Sequence, residues 1–129
     1  MSYSDERQHI ETRISAALAG YVVEYNNAPQ QVDKTGLWCR VTINHAPSET
    51  AGLGQGVRTR VNGLILVQVF DQKDAGTVAS LAVVDILVAN LRHAIFNGIT
   101  CRNVTVTQGG EVNGVHQINL SIPFYRYEV

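Results

Sequence analysis

The stretch from Gly76 to Phe96 constrains the fold more than any other part of the chain. Val78, Leu81, Val84, Leu87, Val88, Leu91, Ile95 and Phe96 alternate with Ala79, Ala82, Ala89 and Ala94, so a helix of about twenty residues built here is apolar around most of its circumference. A single sheet face buries only about half of such a helix, and the pattern predicts cover on more than one side. Its polar residues are Thr77, Ser80, Asp85, Asn90, Arg92 and His93; Asp85 and Arg92, spaced by seven, mark one narrow wet stripe. The length approaches a membrane span, yet Asp85 and Arg92 would each cost on the order of 2.5 kcal/mol or more near a bilayer centre. The segment therefore reads as part of a soluble protein. Its alanines suit close approach by another backbone element, as in a protomer built to pack against something.

A chain of 129 residues is one ordinary domain, long enough to bury roughly two thirds of its unfolded surface without staples or metals. Lys and Arg total 10 against 11 Asp and Glu, a formal net charge of -1, so no general attraction to nucleic acid follows. Cys39 and Cys101 each sit in a strand-like run, and their spacing suggests neither a disulfide framework nor a zinc site; buried free thiols are expected. The N-terminal run Met1 to Arg7 is polar and lacks the apolar core of a signal peptide, which predicts that the protein begins its life in a cytoplasm.

The order of elements reads helix, strands, helix, hairpin. Ser4 is the candidate N-cap of a first helix in which Ile10, Ile14, Ala17 and Leu18 recur at helical spacing, with Asp5 and Glu6 in the favourable first turn and Gly20 as its stop. Tyr21 to Tyr25 is a short strand or a tether, ending at the turn cluster Asn26-Asn27-Ala28-Pro29. Leu37, Cys39, Val41 and Ile43 alternate with Trp38, Arg40, Thr42 and Asn44, the period-two pattern of a half-buried strand. Residues 45–57, with Pro47, Gly52, Gly54 and Gly56, predict a long mobile loop. Arg58 to Phe70 carries Val61, Ile65, Val67 and Val69 on one face and Leu64, Leu66 and Phe70 on the other, as a central strand does. Asp74 or Thr77 caps the apolar helix. Ile99 to Gln108 and Val115 to Tyr127 form a long hairpin joined by residues 109–114, and Pro123 predicts an edge or a bulge. This is an α+β pattern, a mostly antiparallel sheet with two helices packed on one face.

No catalytic constellation stands out. His9, His45, His93 and His116 are scattered, and no HExxH, CxxC or His-x-His spacing occurs, so neither a metal nor a cofactor is expected. His93 fits the cation-favouring end of a helix, and Asp71 and Asp74 fit turn formation and capping better than paired acid-base work. Gly52-Leu53-Gly54-Gln55-Gly56 before Arg58 and Arg60 resembles an anion cradle, but a dinucleotide fingerprint needs a helix after its glycines and here a strand follows. Two readings stay open: a flexible connection with solvated arginines, or a loop that orders on a partner while Arg58 and Arg60 contact carboxylates or phosphates. Gln68, Thr105, Gln117, Asn119 and Ser121 give parts of the sheet an uncharged hydrophilic face, suited to solvent, to an intersubunit surface or to a channel wall.

Taken in order, several segments resemble a known group: Ile10-Glu11-Thr12-Arg13-Ile14, Trp38-Cys39-Arg40-Val41-Thr42, the glycine-bearing loop into Arg58-Thr59-Arg60, Gly63 to Phe70, and Asp74-Ala75-Gly76 with its apolar helix. The chain resembles the tail terminator, or tail completion, proteins of tailed bacteriophages with long non-contractile tails. The resemblance covers nearly the whole length and rests on order and pattern. It implies a non-enzymatic α+β subunit of the virion tail that forms a hexameric ring on the tail tube, halts tube growth and offers the surface to which the head connector docks. Its implied partners are copies of itself, the tail tube protein and the head-tail connector, with DNA passing the lumen without specific binding and no membrane. Such a ring needs two different matching patches per protomer. Gln55, Arg58 and Arg60 are candidates for one, and Glu111 and Asn113 for the other or for the tube contact. Another head-tail joining or neck component is the alternative, and a small enzyme or ligand-binding domain is a third.

Overall fold

The computed structural model describes residues 1–25, 36–50, 58–72, 78–112 and 115–128, positions 111 and 112 by backbone alone. Helix α1 (Tyr3–Ala17) is followed by strands β1 (Val22–Tyr25), β2 (Trp38–His45), β3 (Glu49–Thr50) and β4 (Thr59–Gln72). Helix α2 (Val78–Leu91) then leads to β5 (Ile95–Phe96), β6 (Ile99–Cys101), β7 (Thr105–Val112) and β8 (Val115–Glu128). The strands form one sheet in the order β1-β2-β4-β8-β6-β5, with β3 added to β4 and β7 added to β8. Among the described residues only the β1–β2 pair is parallel. The α+β class and the order of elements match the expectation.

The core lies between one face of this sheet and the two helices. Odd residues of β4 (Ile65, Val67, Val69) and even residues of β8 (Ile118, Leu120, Ile122, Phe124) face inward with Cys39 and Val41, because successive strand side chains alternate between faces. Ile10, Ile14 and Leu18 of α1 and Val83, Val84, Leu87 and Leu91 of α2 cover them. The second, outward face of β4 is only half-buried at Leu64, Leu66 and Phe70. Strand β4 is nonetheless central, flanked by β2 and by β8 over Thr59↔Glu128 to Gln72↔Val115.

Four local expectations are corrected. The N-cap of α1 is Ser2, not Ser4: Ser2 Oγ accepts from the Asp5 N–H at 3.1 Å and the Ser2 N–H donates to Asp5 Oδ2 at 3.2 Å. That reciprocal pair satisfies two end groups at once, which Ser4 has no residue in place to do. Helix α2 ends at Leu91 rather than near Phe96. His93 takes a left-handed φ of 53° and its N–H donates to the Arg102 carbonyl, while Ile95 and Phe96 pair across Asn97-Gly98 (φ 47° and 79°) with Thr100 and Ile99. Two positive φ values in a two-residue loop are what a tight hairpin turn requires, and Asn-Gly supplies them at little cost.

The hairpin connection is shorter than expected, because β7 continues to Val112 opposite Val115. Gly110 (φ 73°) sits at a register shift after Gln108, a bulge that a glycine accommodates. Pro123, finally, lies on neither an edge nor a bulge. The Pro123 carbonyl accepts from the Arg102 N–H at 2.7 Å, at the point where the neighbour of β8 changes from β7 to β6. The missing proline N–H therefore falls in the gap between two partner strands and breaks no ladder. The candidate caps Asp74 and Thr77, the cluster Asn26 to Pro29, and residues 51–57 of the expected loop lie outside the described residues; Glu49 and Thr50 of that loop pair with Arg60 and Thr59.

Two predictions follow from this packing. A Cβ placed on Gly63 would come within 2.3 Å of Phe124 Cζ, an atom of a buried ring, and 3.0 Å of the Asn44 carbonyl. Gly63→Ala is expected to lower stability by about 1–3 kcal/mol, read as a lower urea midpoint at unchanged slope. Burial pushes the Cys39 thiol up to about 12 and, against a smaller opposing pull from Arg13, the Cys101 thiol up to about 11. Native protein at pH 8 is expected to leave both thiols unreactive to an aromatic disulfide reagent until denaturant is added. Because both thiols bind protons more tightly when folded, their share of stability is complete below the unfolded value of about 8.5 and is lost as pH rises from there through the folded values.

Candidate interaction surfaces

A charge buried between helix and sheet fixes where the surfaces lie. Glu6 is on α1 one turn before Ile10 and two before Ile14, so it faces the core and is 1% exposed. Arg126 continues the inward row Ile122-Phe124 of β8 and is also 1% exposed. Arg126 Nε donates to Glu6 Oε1 at 2.7 Å, and His45 Nε2 lies 2.6 Å from Glu6 Oε2, placed to donate to it. Arg126 Nη1 donates to the Met1 carbonyl at 2.9 Å, and the guanidinium lies 4.8 Å from the Tyr3 ring centre. The Tyr3 ring in turn meets His45 edge-on. The cluster ties the chain start and α1 to the ends of β2 and β8. The sequence reading placed Glu6 only at the helix dipole and missed Arg126. The available signals were the four-residue step from Glu6 to Ile10 and the even parity of Arg126 within β8.

The outward face of the sheet gathers the residues that the sequence marked as uncharged and polar. Register places Gln68 beside Asn119, Asn119 beside Thr107, and Ser121 between Leu66 and Thr105, with Gln117 opposite Phe70. Gln117 Nε2 donates to Asn119 Oδ1 at 2.7 Å. At one end of this band Trp38 stacks on Phe70 with centres 4.4 Å apart, and Arg40 lies over both rings with Glu24 at 3.4 Å.

At the other end stand Arg58 and Arg60. The Arg58 guanidinium lies 5.1 Å from the Tyr127 ring centre and that of Arg60 4.2 Å from Tyr125. Arg102, which the sequence reading did not single out, approaches the Tyr125 ring at 5.2 Å. Arg60 Nε also donates to Asn62 Oδ1 at 3.2 Å. Among the described residues none of these three arginines has a carboxylate within 4.0 Å. Stacking on tyrosine orients each guanidinium without neutralising it, and Glu49, opposite Arg60 in register, stays outside ion-pair distance, so the end of the sheet is an arginine-rich, aromatic platform with one carboxylate at its rim. Of the other candidates, Glu111 is in β7 opposite His116, whereas Gln55 and Asn113 lie outside the described residues. Arg58 and Arg60 are thus brought together, and Glu111 belongs to a different end of the sheet.

The third surface is α2. Ser80, Val83, Val84, Leu87 and Leu91 are buried, and the opposite side carries Val78, Leu81, Ala82, Asp85 and Ala89 in the open. Val78 is 85% exposed. The helix thus has cover on the side that meets the sheet and α1, where Arg13 Nε caps the Asn90 carbonyl at 2.9 Å, and an apolar stripe on the other. The narrow wet stripe expected at Asp85 and Arg92 is part of this wider open face. Among the described residues no helix is long and apolar enough to cross a membrane, and no group of three potential metal ligands converges.

No known family model matches the chain, and no curated protein matches it in sequence. Solved structures match its fold. A protein without a functional name is similar over 98% of this chain and 96% of its own, at 18% identity and a TM-score of 0.74. A chain of the virion of a native gene transfer agent particle is similar over 98% of this chain and 100% of its own, at 11% identity and a TM-score of 0.63. At such identities the likeness establishes the fold.

Removing one partner of the buried ion pair leaves the other charge without compensation. Glu6→Ala is expected to destabilise the fold by about 3–5 kcal/mol in chemical denaturation. His45→Ala removes a half-exposed partner and is expected to cost less than Glu6→Ala, since Arg126 keeps its carboxylate.

Proposed function

We propose that this chain is a structural protein of a virion and, more specifically, a phage tail terminator. In this reading it closes as a six-membered ring on the last ring of the tail tube, ends tube growth and presents the surface to which the head connector docks. The observation that carries the proposal is the full-length likeness of fold to a virion chain of a gene transfer agent particle. The order of sequence segments that resembles tail terminators supports the finer assignment. The open face of α2 and the arginine platform lie on opposite sides of the subunit, and two unlike patches are what a closed ring of identical subunits uses. The uncharged band of Gln68, Gln117, Asn119, Thr105 and Ser121 suits a wall past which duplex slides, because its own residues offer hydrogen-bonding groups without charge and Arg40, beside Gln68, has the Glu24 carboxylate at 3.4 Å. The role assigned is assembly without catalysis or cofactor, in the host cytoplasm first and in the virion tail afterwards.

The test is to add the purified protein to polymerising tail-tube protein of the same virion and to measure tube lengths in negative stain. Shorter tubes with a ring at one end are the expected result. Unchanged lengths together with binding to the portal adaptor would move the assignment to a neck component. Unchanged lengths with binding to neither would remove the virion reading.

A further inference from the structure

We propose that the open face of α2 in one copy seats on the Arg58, Arg60 and Arg102 platform of the next, with Asp85 meeting the arginines. This rests on the ring reading and assigns its two patches. The open stripe of α2 carries Val78, Leu81, Ala82, Asp85, Ala89 and, just past its end, Arg92; the steps Val78-Leu81-Asp85 and Val78-Ala82-Asp85-Ala89-Arg92 are three or four residues, so these residues share one side of the helix. A carboxylate therefore stands in the middle of the apolar part of the stripe, and Arg92 lies two turns further on at its end. Ala82 and Ala89 flank it, and small side chains let another backbone layer approach closely.

The platform has the complementary properties. Its three guanidinium groups lack a carboxylate within ion-pair distance among the described residues, whereas Arg40 at the other end of the same face has Glu24. Tyr125 and Tyr127 hold the guanidinium groups in place and add apolar area for Val78 and Leu81 to cover. Preorganised arginines favour carboxylate recognition, since little side-chain freedom is lost on binding.

The two patches cannot meet each other within one chain. The stripe is on the side of α2 that faces away from the sheet, and the platform is on the sheet face that points away from the helices. Each copy therefore offers one half of the contact on either side, and the contact repeats from copy to copy in one direction. It also removes a difficulty of the ring reading. Three arginines with no carboxylate in ion-pair distance among the described residues, beside a lumen threaded by duplex, would bind phosphate, and a neighbour's carboxylate occupies them instead.

The test uses the full chain with Arg58→Cys and Asp85→Cys, singly and together, treated with a short bis-maleimide at concentrations where the protein self-associates. The native thiols Cys39 and Cys101 are buried, so the introduced pair dominates the reaction. The expected result is a ladder of linked dimers and higher species from the double variant, with both single variants remaining monomeric on a denaturing gel. Asp85→Arg is expected to raise the concentration needed for association by about tenfold or more in light scattering, at an unchanged urea midpoint. A double variant that stays monomeric while rings form overturns this contact and leaves the ring reading in place. Linked dimers from Asp85→Cys alone also overturn it, because α2 would then face itself. Retention of duplex DNA that is lost in an Arg58→Ala, Arg60→Ala double variant, with no ladder, would assign the platform to phosphate. A ladder from assemblies that do not close at six supports the contact and removes the ring reading.

Discussion

The pairing of Glu6 with Arg126 is the constraint on which the arrangement of this molecule depends. Two charges at 1% exposure continue the buried rows that carry Ile10 on α1 and Phe124 on β8, at the join between the start of α1 and the end of β8. Burying either alone would cost several kcal/mol, so the chain reaches low free energy only when helix and strand meet in one register. Apolar residues alone allow α1 to slide on the sheet, since Ile10, Ile14 and Leu18 could pack against several rows of similar side chains. A donor and an acceptor that must meet allow much less. His45, Tyr3 and the Met1 carbonyl add contacts at the same point, and so the beginning of the chain, the end of β2 and the end of β8 are located together.

That fixed end determines where the arginine platform can be. Arg126 faces inward, so Tyr125 and Tyr127 on either side of it must face outward, by the alternation of a strand. The antiparallel register of β4 then brings Arg60 opposite Tyr127 and Asn62 opposite Tyr125. The buried ion pair and the exposed cation-aromatic stack are in this sense one feature seen from two faces. Proline contributes as well. Pro123 sits where β7 gives way to β6, and its carbonyl holds Arg102 so that a third guanidinium reaches the Tyr125 ring.

Much of this was legible in the sequence, and the parts that were not have physical reasons. Period-two alternation identified β2, β4 and β8 and the inward row from Ile118 to Phe124, because burial of one face imposes that pattern directly. The uncharged band of Gln68, Asn119 and Ser121 followed from the same parity. The end of α2 was misread because Ala94, Ile95 and Phe96 continue its apolar spacing, while the turn chemistry of Asn97-Gly98 and pairing with Ile99 and Thr100 decided their conformation. The parallel pairing of β1 with β2 has no local signal, since strand partners are chosen by the rest of the sheet. Glu6 and Arg126 were hidden for another reason. Each obeys the spacing of buried residues, but a charge at a buried position is recognisable only once its partner, 120 positions away, is known. Arg102 likewise has no meaning until Tyr125 is beside it.

The apolar helix that dominates the sequence therefore has a different explanation from the one its composition first suggests. Cover on more than one side, with one narrow wet stripe, was the expectation, but the sheet and α1 take only the side bearing Val83, Val84, Leu87 and Leu91. Side-chain size makes the remaining side tolerable in a free subunit. Ala82 and Ala89 present little apolar area, and Asp85 keeps the stripe hydrated at its centre, leaving Val78 and Leu81 as the large exposed groups. An open stripe of this kind is costly enough to favour a partner and small enough to let the protomer remain dispersed before it finds one. The largely apolar composition of such a helix thus answers two different demands: dense packing on the side fixed by the Glu6–Arg126 join and, in the proposed assembly, close backbone approach on the side that the fold leaves open.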